Sequence, residues 1–353
     1  MINNIIGNID FCESLRGKSA SFILSMSNTD TANIEGITQA GIPGMLHLTP
    51  TLDAEFLCTG EVRSLDNIAV TPKGVPTPAL ITRAIHLLHP FKEIELLNLG
   101  LKTTPKVEYF SRFDFDINPS DSISDGANID AMEVFQKGVE FGQNYICKSD
   151  YVILAESVPS GTTTALATAL ALGYECKDKF SSSFKNNPTN IKKQVISKAL
   201  ENTKDAVEVF EKLDSVADNM LIFNAGFILG ANNRDFKIVL AGGTQMACVL
   251  LIINSILNQM DGEIDSTKIA LWTTKWVYKD NHSDIKGLLE MLDFSINGYY
   301  SEFDFSMSNH PALKLYDDGE AKEGVGAGAA LIYGVINGLN QENITAQVES
   351  FLG

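Results

Sequence analysis

The chain has 353 residues, 44% of them apolar and 20% charged, which is enough apolar side chain for a sizeable core and a length that suits one large α/β domain. Its formal net charge of -17 at pH 7 argues against nucleic acid as a partner, because binding phosphates by charge needs basic stripes, and no Lys/Arg run suited to an anionic membrane surface is present. A small anionic substrate stays open, since a local site can be positive inside a negative protein.

Residues 1–11 carry neither a positive n-region nor an apolar h-region, so no signal peptide is expected and the chain reads as cytoplasmic. Short apolar runs at 22–24, 94–99, 151–155, 221–223, 238–241 and 269–272 read as buried strands. Helical spacing recurs at Met132, Phe135 and Val139, and again at Ala206, Phe210 and Leu213. Strand-like runs alternating with helices predict βαβ units, hence a three-layer, Rossmann-like α/β fold with a mostly parallel sheet; a small helical part is expected from the chain ends. The most apolar stretch, 246–257, is too short to span a bilayer and contains Asn254, so it reads as a buried helix. Two polar connections stand out. One covers 114–128; the other, 180–190, is rich in Ser, Asn and Lys and is either a flexible loop or a lid that closes over a ligand.

The cysteines, Cys12, Cys58, Cys147, Cys176 and Cys248, are odd in number and lack CxxC spacing, which points to free thiols. The histidines form no HxxxH or HxH pattern, so no zinc site is expected, and the absence of GxSxG gives no support to an α/β-hydrolase elbow.

Ligands of parallel α/β sheets bind beyond the carboxyl ends of the strands, so the loops there are the places to look for chemistry. The first runs Glu156, Ser157, Val158, Pro159, Ser160, Gly161, Thr162, Thr163, Thr164. A strand ends at Glu156 and a helix begins near Thr162 to Thr164. Backbone N–H groups and hydroxyls at a helix start can hold an anion without a lysine; an ordinary helix capped by its threonines is the competing reading. The second, Gly242-Gly243-Thr244, allows close approach of a ligand to the backbone or simply tight strand-to-helix packing. The third, Lys322-Glu323-Gly324-Val325-Gly326-Ala327, imitates a dinucleotide fingerprint, but Tyr316 to Glu320 before it is not a strand. What remains is a carboxylate at a Gly-rich helix start, able to cap the helix or to act as a general base. The pair Asp317-Asp318 reads as a solvated turn.

In order and spacing, these segments resemble the nicotinate-nucleotide:dimethylbenzimidazole phosphoribosyltransferase family, and most of all its divergent branch, common in archaea and some bacteria. The segments that carry the resemblance are the strand end at Leu99-Gly100, the loop from Glu156 to Thr164, the Gly-rich run around Gly226, the strand end at Gly242-Gly243, and Glu323-Gly324-Val325-Gly326-Ala327. Together they cover most of the chain from about residue 68 onward. The resemblance implies transfer of a phosphoribosyl group from nicotinate mononucleotide to a benzimidazole-like base, with no metal or cofactor, by a homodimer. It further implies Glu323 as general base with Glu156 assisting, and Ser160, Gly161, Thr162 and Thr163 around the donor phosphate. Gly100, Gly226, Gly242 and Gly243 fall in loops at the site, and Thr71, Pro72 and Lys73 beside the acceptor-base pocket. The sequence departs from the family pattern at three places, one of them the residue facing the end of the base pocket. Ser27-Asn28-Thr29-Asp30-Thr31 replaces an Asp-His-Gly motif, and Gln194, next to Lys192 and Lys193, aligns with a lysine used near the phosphate. A protein that binds a nucleotide or cobamide precursor without turning it over is the alternative.

Overall fold

A computed structural model describes the chain apart from residues 67, 69, 187 and 353. Its strands are β1 (Ile2–Ile6), β2 (Ala20–Met26), β3 (Glu93–Asn98), β4 (Ser111–Asp114), β5 (Tyr151–Ser157), β6 (Lys237–Ala241), β7 (Ile269–Thr274) and β8 (Asn297–Ser301). They form one sheet in the order β1-β8-β7-β6-β5-β2-β3-β4, parallel throughout except for β1, which runs antiparallel to β8 at one edge. The order reverses direction beside β2, whose neighbours are β3 and β5. This is where an open α/β sheet leaves a crevice at its carboxyl edge.

The central strands are predominantly apolar because both their faces are covered. Every residue of β2 and of β5 is buried. Successive side chains alternate between the faces. Ile23, Val152, Leu154, Ile238 and Leu240 point to a core shared with the helices Gly161–Ala171, Asn219–Ala231 and Thr244–Met260. Phe22, Leu24, Ile153, Ala155, Val239, Ala241 and Trp272 point the other way, against the helices Ala79–Leu88 and Ala327–Ile336. Helix, sheet, helix: the expected three-layer α/β architecture is present. The chain ends lie within it, β1 as an edge strand and the helix Gln341–Glu349 packed on Ala79–Leu88. Among the described residues no helix is long and apolar enough to cross a membrane.

The expected strand at 221–223 is instead part of the helix Asn219–Ala231. That helix is interior along nearly all its length, only Leu229 and Gly230 being partly open, so its short apolar run has the look of a buried strand. Its start is fixed by Asp218, whose carboxylate accepts the Leu221 N–H at 3.1 Å. It packs against Ala131–Asn144 with unusual closeness. A Cβ on Gly226 would stand 2.2 Å from the Phe135 carbonyl oxygen, and one on Gly138 would stand 2.3 Å from that of Phe223. Ala206 lies outside the helix Val209–Val216, which a capping box between Glu208 and Glu211 starts later. The edge strands β1 and β4, and β8 beside β1, mix polar and apolar residues and carry no apolar run to reveal them. Asp317 and Asp318 are both exposed, but Asp317 ends the helix Pro311–Asp317 and accepts the Trp276 indole N–H at 2.9 Å and the Phe305 N–H at 3.0 Å.

Candidate active site at the carboxyl ends of the central strands

Beyond the ends of β5 and β6 lies a cleft with about 950 Å³ of space between atoms, open solvent included. Its lining comes from three sources: the 156–162 loop and Gly243 to Gln245 at the strand ends, residues 320–324, and a cap formed by 38–53, 70–78 and 181–183.

One end gathers a helix start, hydroxyls and a lysine. The chain leaves β5 through Val158 and Pro159, and Ser160 adopts a left-handed conformation (φ 68°) that few non-glycine residues take. The helix Gly161–Ala171 starts there with no side-chain cap, so its threonines do not cap it. Thr164 donates to the buried Asp218 carboxylate at 2.5 Å, and the buried hydroxyls of Ser160 and Thr163 have no hydrogen-bond partner among the described residues. The Gly161 and Thr163 N–H groups bond back to the Val158 and Ser160 carbonyls at 3.1 and 2.8 Å, and the helix start adds its dipole. Facing them is Lys192, only 6% exposed, whose Nζ lies 3.4 Å from Thr162 Oγ1 and 3.3 Å from the Ser181 carbonyl oxygen. No salt bridge joins it to a carboxylate among the described residues; Lys322, nearby, is paired with Asp280 at 2.7 Å. Burial pushes the Lys192 ammonium down to about 8, the Lys322 charge pushes the same way, and Asp280 opposes both. Lys193 and Gln194 are exposed on other faces of the helix Thr189–Glu201, and Gln194 lines a separate surface groove.

The other feature is a set of buried carboxyl groups. Glu156 uses one oxygen, Oε2, to accept the Val158 N–H at 3.1 Å and the Gln245 amide N–H at 3.0 Å; Oε1 has no protein donor among the described residues. Burial pushes its pKa up to about 8, and the charges of Glu323 and Asp218 add to the shift. Glu323, partly open to the cleft, has both oxygens occupied. Oε1 accepts from Gly328 N–H at 3.0 Å and Gly324 N–H at 3.3 Å, and Oε2 from Thr274 N–H at 3.0 Å and the Thr273 hydroxyl at 3.2 Å. Burial raises it to about 7 against the pull of those four donors. Glu323 therefore does cap the helix Ala327–Ile336. That helix can approach the sheet because a Cβ on Gly328 would lie 2.1 Å from the Thr273 carbonyl carbon, so only glycine fits.

No protein-family model matches the chain. A UPF0284 protein of Saccharolobus solfataricus is 35% identical over 339 residues, covering 94% of this chain and 92% of that protein. The chain belongs to the UPF0284 family. A second member, from Sulfurisphaera tokodaii, is 36% identical over 349 residues, 97% of this chain and 95% of its own length. Among solved structures, the UPF0284 chain resembles nicotinate-nucleotide-dimethylbenzimidazole phosphoribosyltransferase from Thermus thermophilus, with a TM-score of 0.59 and 13% identity, over 95% of this chain and 83% of that one. A structure of CobT from the same organism matches with a TM-score of 0.58, also at 13% identity, over 95% of this chain and 84% of that one. At this identity the likeness is one of fold.

Of the residues singled out in the sequence, Glu156, Ser160, Gly161, Thr162, Gly243, Glu323 and Thr71 line the same cleft. Thr163 is buried behind the loop, and Gly242 packs beside Glu156. Pro72 and Lys73 are exposed in the turn from Thr71 to Gly74, where Lys73 pairs with Glu320 at 2.6 Å. Gly100 and Gly226 stand outside the cleft lining: Gly100 makes a tight turn against Asn118, and Gly226 is the helix contact described above. The segment Ser27 to Thr31 braces loops, with Asn28 accepting the Lys102 N–H at 2.8 Å and donating to the His47 carbonyl at 3.1 Å. Asp53, Asp218 and Gln245 carry no decisive local signal in the sequence: Asp53 and Gln245 lie within helices and Asp218 caps one, and neither position says which cavity a polar side chain faces.

Proposed function

We propose that this protein is a phosphoribosyltransferase that takes its donor from nicotinate mononucleotide and its acceptor from benzimidazole-like bases, giving an α-ribazole phosphate and nicotinate for cobamide lower-ligand assembly. The observation that carries the reading is Lys192, a buried ammonium without a carboxylate partner among the described residues, set behind Thr162 and Ser181 in the wall of a cleft that also holds Glu156 and Glu323. A cation buried at such cost fits an anionic ligand group. The resemblance of the motifs and the shared fold support a mononucleotide donor whose phosphate lies among Lys192, Ser160, Gly161 and Thr162.

The chemistry asks little else of the protein. The acceptor imidazole nitrogen attacks C1′ of the ribose, and the bond from C1′ to the pyridinium nitrogen breaks, returning its electron pair to a now neutral ring. The acceptor gives up its other N–H proton to a carboxylate. We assign that proton to Glu156 in preference to Glu323, because Oε1 of Glu156 is free while both oxygens of Glu323 are engaged. Glu323, ionised above its raised pKa of about 7, sets a negative charge near the cation-like ribose.

The engagement of Glu323 also favours the second reading, a nucleotide or cobamide-precursor carrier in which that residue is structural. Incubation with nicotinate mononucleotide and a panel of bases, followed by mass spectrometry, separates the two. Nicotinate released only when a base is present supports transfer; tight binding of the donor without release supports the carrier. A cytoplasmic homodimer belongs to the same proposal, and light scattering on a size-exclusion column tests its stoichiometry.

A further inference from the structure

We propose that Asp53, Thr77 and Ser157 form a wall of the cleft presenting only hydrogen-bond acceptors, and that this wall selects aromatic bases carrying an O–H or N–H donor on the ring periphery. The identity of the ligand as an aromatic base rests on the transferase reading; the polarity of the wall does not.

Asp53 lies in the helix Thr49–Thr59 and is only 3% exposed. Its Oδ1 accepts the Thr77 hydroxyl proton at 2.6 Å, and its Oδ2 accepts that of Ser157 at 2.7 Å. A hydroxyl has one proton, so both are committed to the carboxylate and point away from the cleft. Thr77 Oγ1 also accepts the Ala79 N–H at 3.2 Å. Ser157 Oγ accepts no hydrogen bond among the described residues. All three residues line the cleft, in company with Val70, Val75, Pro76 and Pro78.

The result is an apolar slot with a patch of lone pairs and no proton to offer. A methyl or ether oxygen pressed against it strips water from those acceptors and replaces nothing. A hydroxyl or amino group on the base supplies the missing proton. Burial raises the Asp53 carboxyl to about 6 against its two hydroxyl donors, so at pH 8 it is ionised and both hydroxyls remain turned towards it.

The test uses the full chain at pH 8 and three probes of one ring system: 5-hydroxy-, 5-methoxy- and 5-methylbenzimidazole. Titration calorimetry gives the Kd of each, and nicotinate release is followed in parallel. The hydroxy compound is expected to bind about ten- to a hundredfold tighter than the other two, the worth of a hydrogen bond to a charged group. Ser157→Ala should shrink that ratio. Asp53→Asn should invert it in part, since the amide donates to one hydroxyl and frees its proton for the methoxy oxygen. Melting curves show whether each variant is folded, and Ser157→Ala carries the test if Asp53→Asn is not. Three equal Kd values, or a ratio that neither variant moves, overturn the proposal. A clear ratio without nicotinate release upholds the wall and sinks the transferase reading; nicotinate release with three equal Kd values does the reverse.

Discussion

The Nζ of Lys192 stands 3.4 Å from Thr162 Oγ1, and no carboxylate neutralises it among the described residues. In a chain with a net charge of -17 this is a local concentration of positive potential, since the charge of Lys322 alongside is matched by Asp280. An uncompensated buried charge destabilises the fold, and its retention at a helix start makes sense as a seat for an anion.

Lys192→Met should therefore separate binding from stability. Affinity for nicotinate mononucleotide should fall by about 1.5–3 kcal/mol, as for loss of a charged hydrogen bond, while the empty protein melts no lower than the parent. Thr162→Val should cost the donor about 1–3 kcal/mol. Nicotinate riboside, which has no phosphate, should be indifferent to both changes. Equal losses for the two ligands in calorimetry would place the phosphate elsewhere.

The pH dependence of stability carries the signature of the same lysine. Its folded pKa of about 8 lies below the ordinary lysine value of 10.5, so between those values the unfolded chain holds a proton that the folded chain has shed. Stability gained by this group therefore rises with pH across that window, and the full cost of burial is present below pH 8. The melting temperature of Lys192→Met relative to the parent should be highest near neutral pH and decline towards pH 10.5. A difference that does not vary with pH would mean that Lys192 is not buried as a cation.

For Glu156, the pKa of about 8 predicts that kcat/KM climbs as pH rises through that value, because the free enzyme must lose the proton before it can accept another. The bound pyridinium cation favours the carboxylate, so the corresponding limb in kcat should lie lower. Glu156→Gln should cut turnover by about 100-fold or more and abolish the limb. A Gln variant with a normal rate and an intact limb would remove Glu156 from the chemistry.

Glu323→Gln should behave differently. The four donors on Glu323 would meet an amide NH₂ on one side, leaving two of them opposed by a donor, at a cost of about 1–3 kcal/mol in stability. Below its lowered melting point the variant should keep more activity than Glu156→Gln. If instead it folds as well as the parent and turns over about 100-fold more slowly, the general base is Glu323 and the two roles must be exchanged.

Gly226→Ala tests a packing assignment. The new Cβ would lie 2.2 Å from a backbone oxygen, which nothing flexible can relieve. A loss of about 1–3 kcal/mol or more in stability is expected, with donor affinity of the folded protein unchanged. A selective loss of donor affinity would return Gly226 to the site.

The sequence by itself determined the three-layer α/β class, because strands buried on both faces must be apolar throughout, as 151–155 and 238–241 are. It also brought out Glu156, Ser160, Thr162 and Glu323, because strand ends and Gly-rich helix starts are punctuated locally. Only the tertiary structure could tell that 221–223 belongs to a helix, since a segment surrounded by protein on all sides has lost the periodicity that separates helix from strand. Only it could separate Lys192 from Lys193 and Gln194, because one turn of helix sends neighbouring side chains to different faces and a single face meets Thr162. The same holds for Asp53 and Ser157, 104 residues apart in the chain and 2.7 Å apart in the cleft. Their pairing is made by the packing of the helix Thr49–Thr59 over the end of β5, a long-range contact that no local pattern encodes.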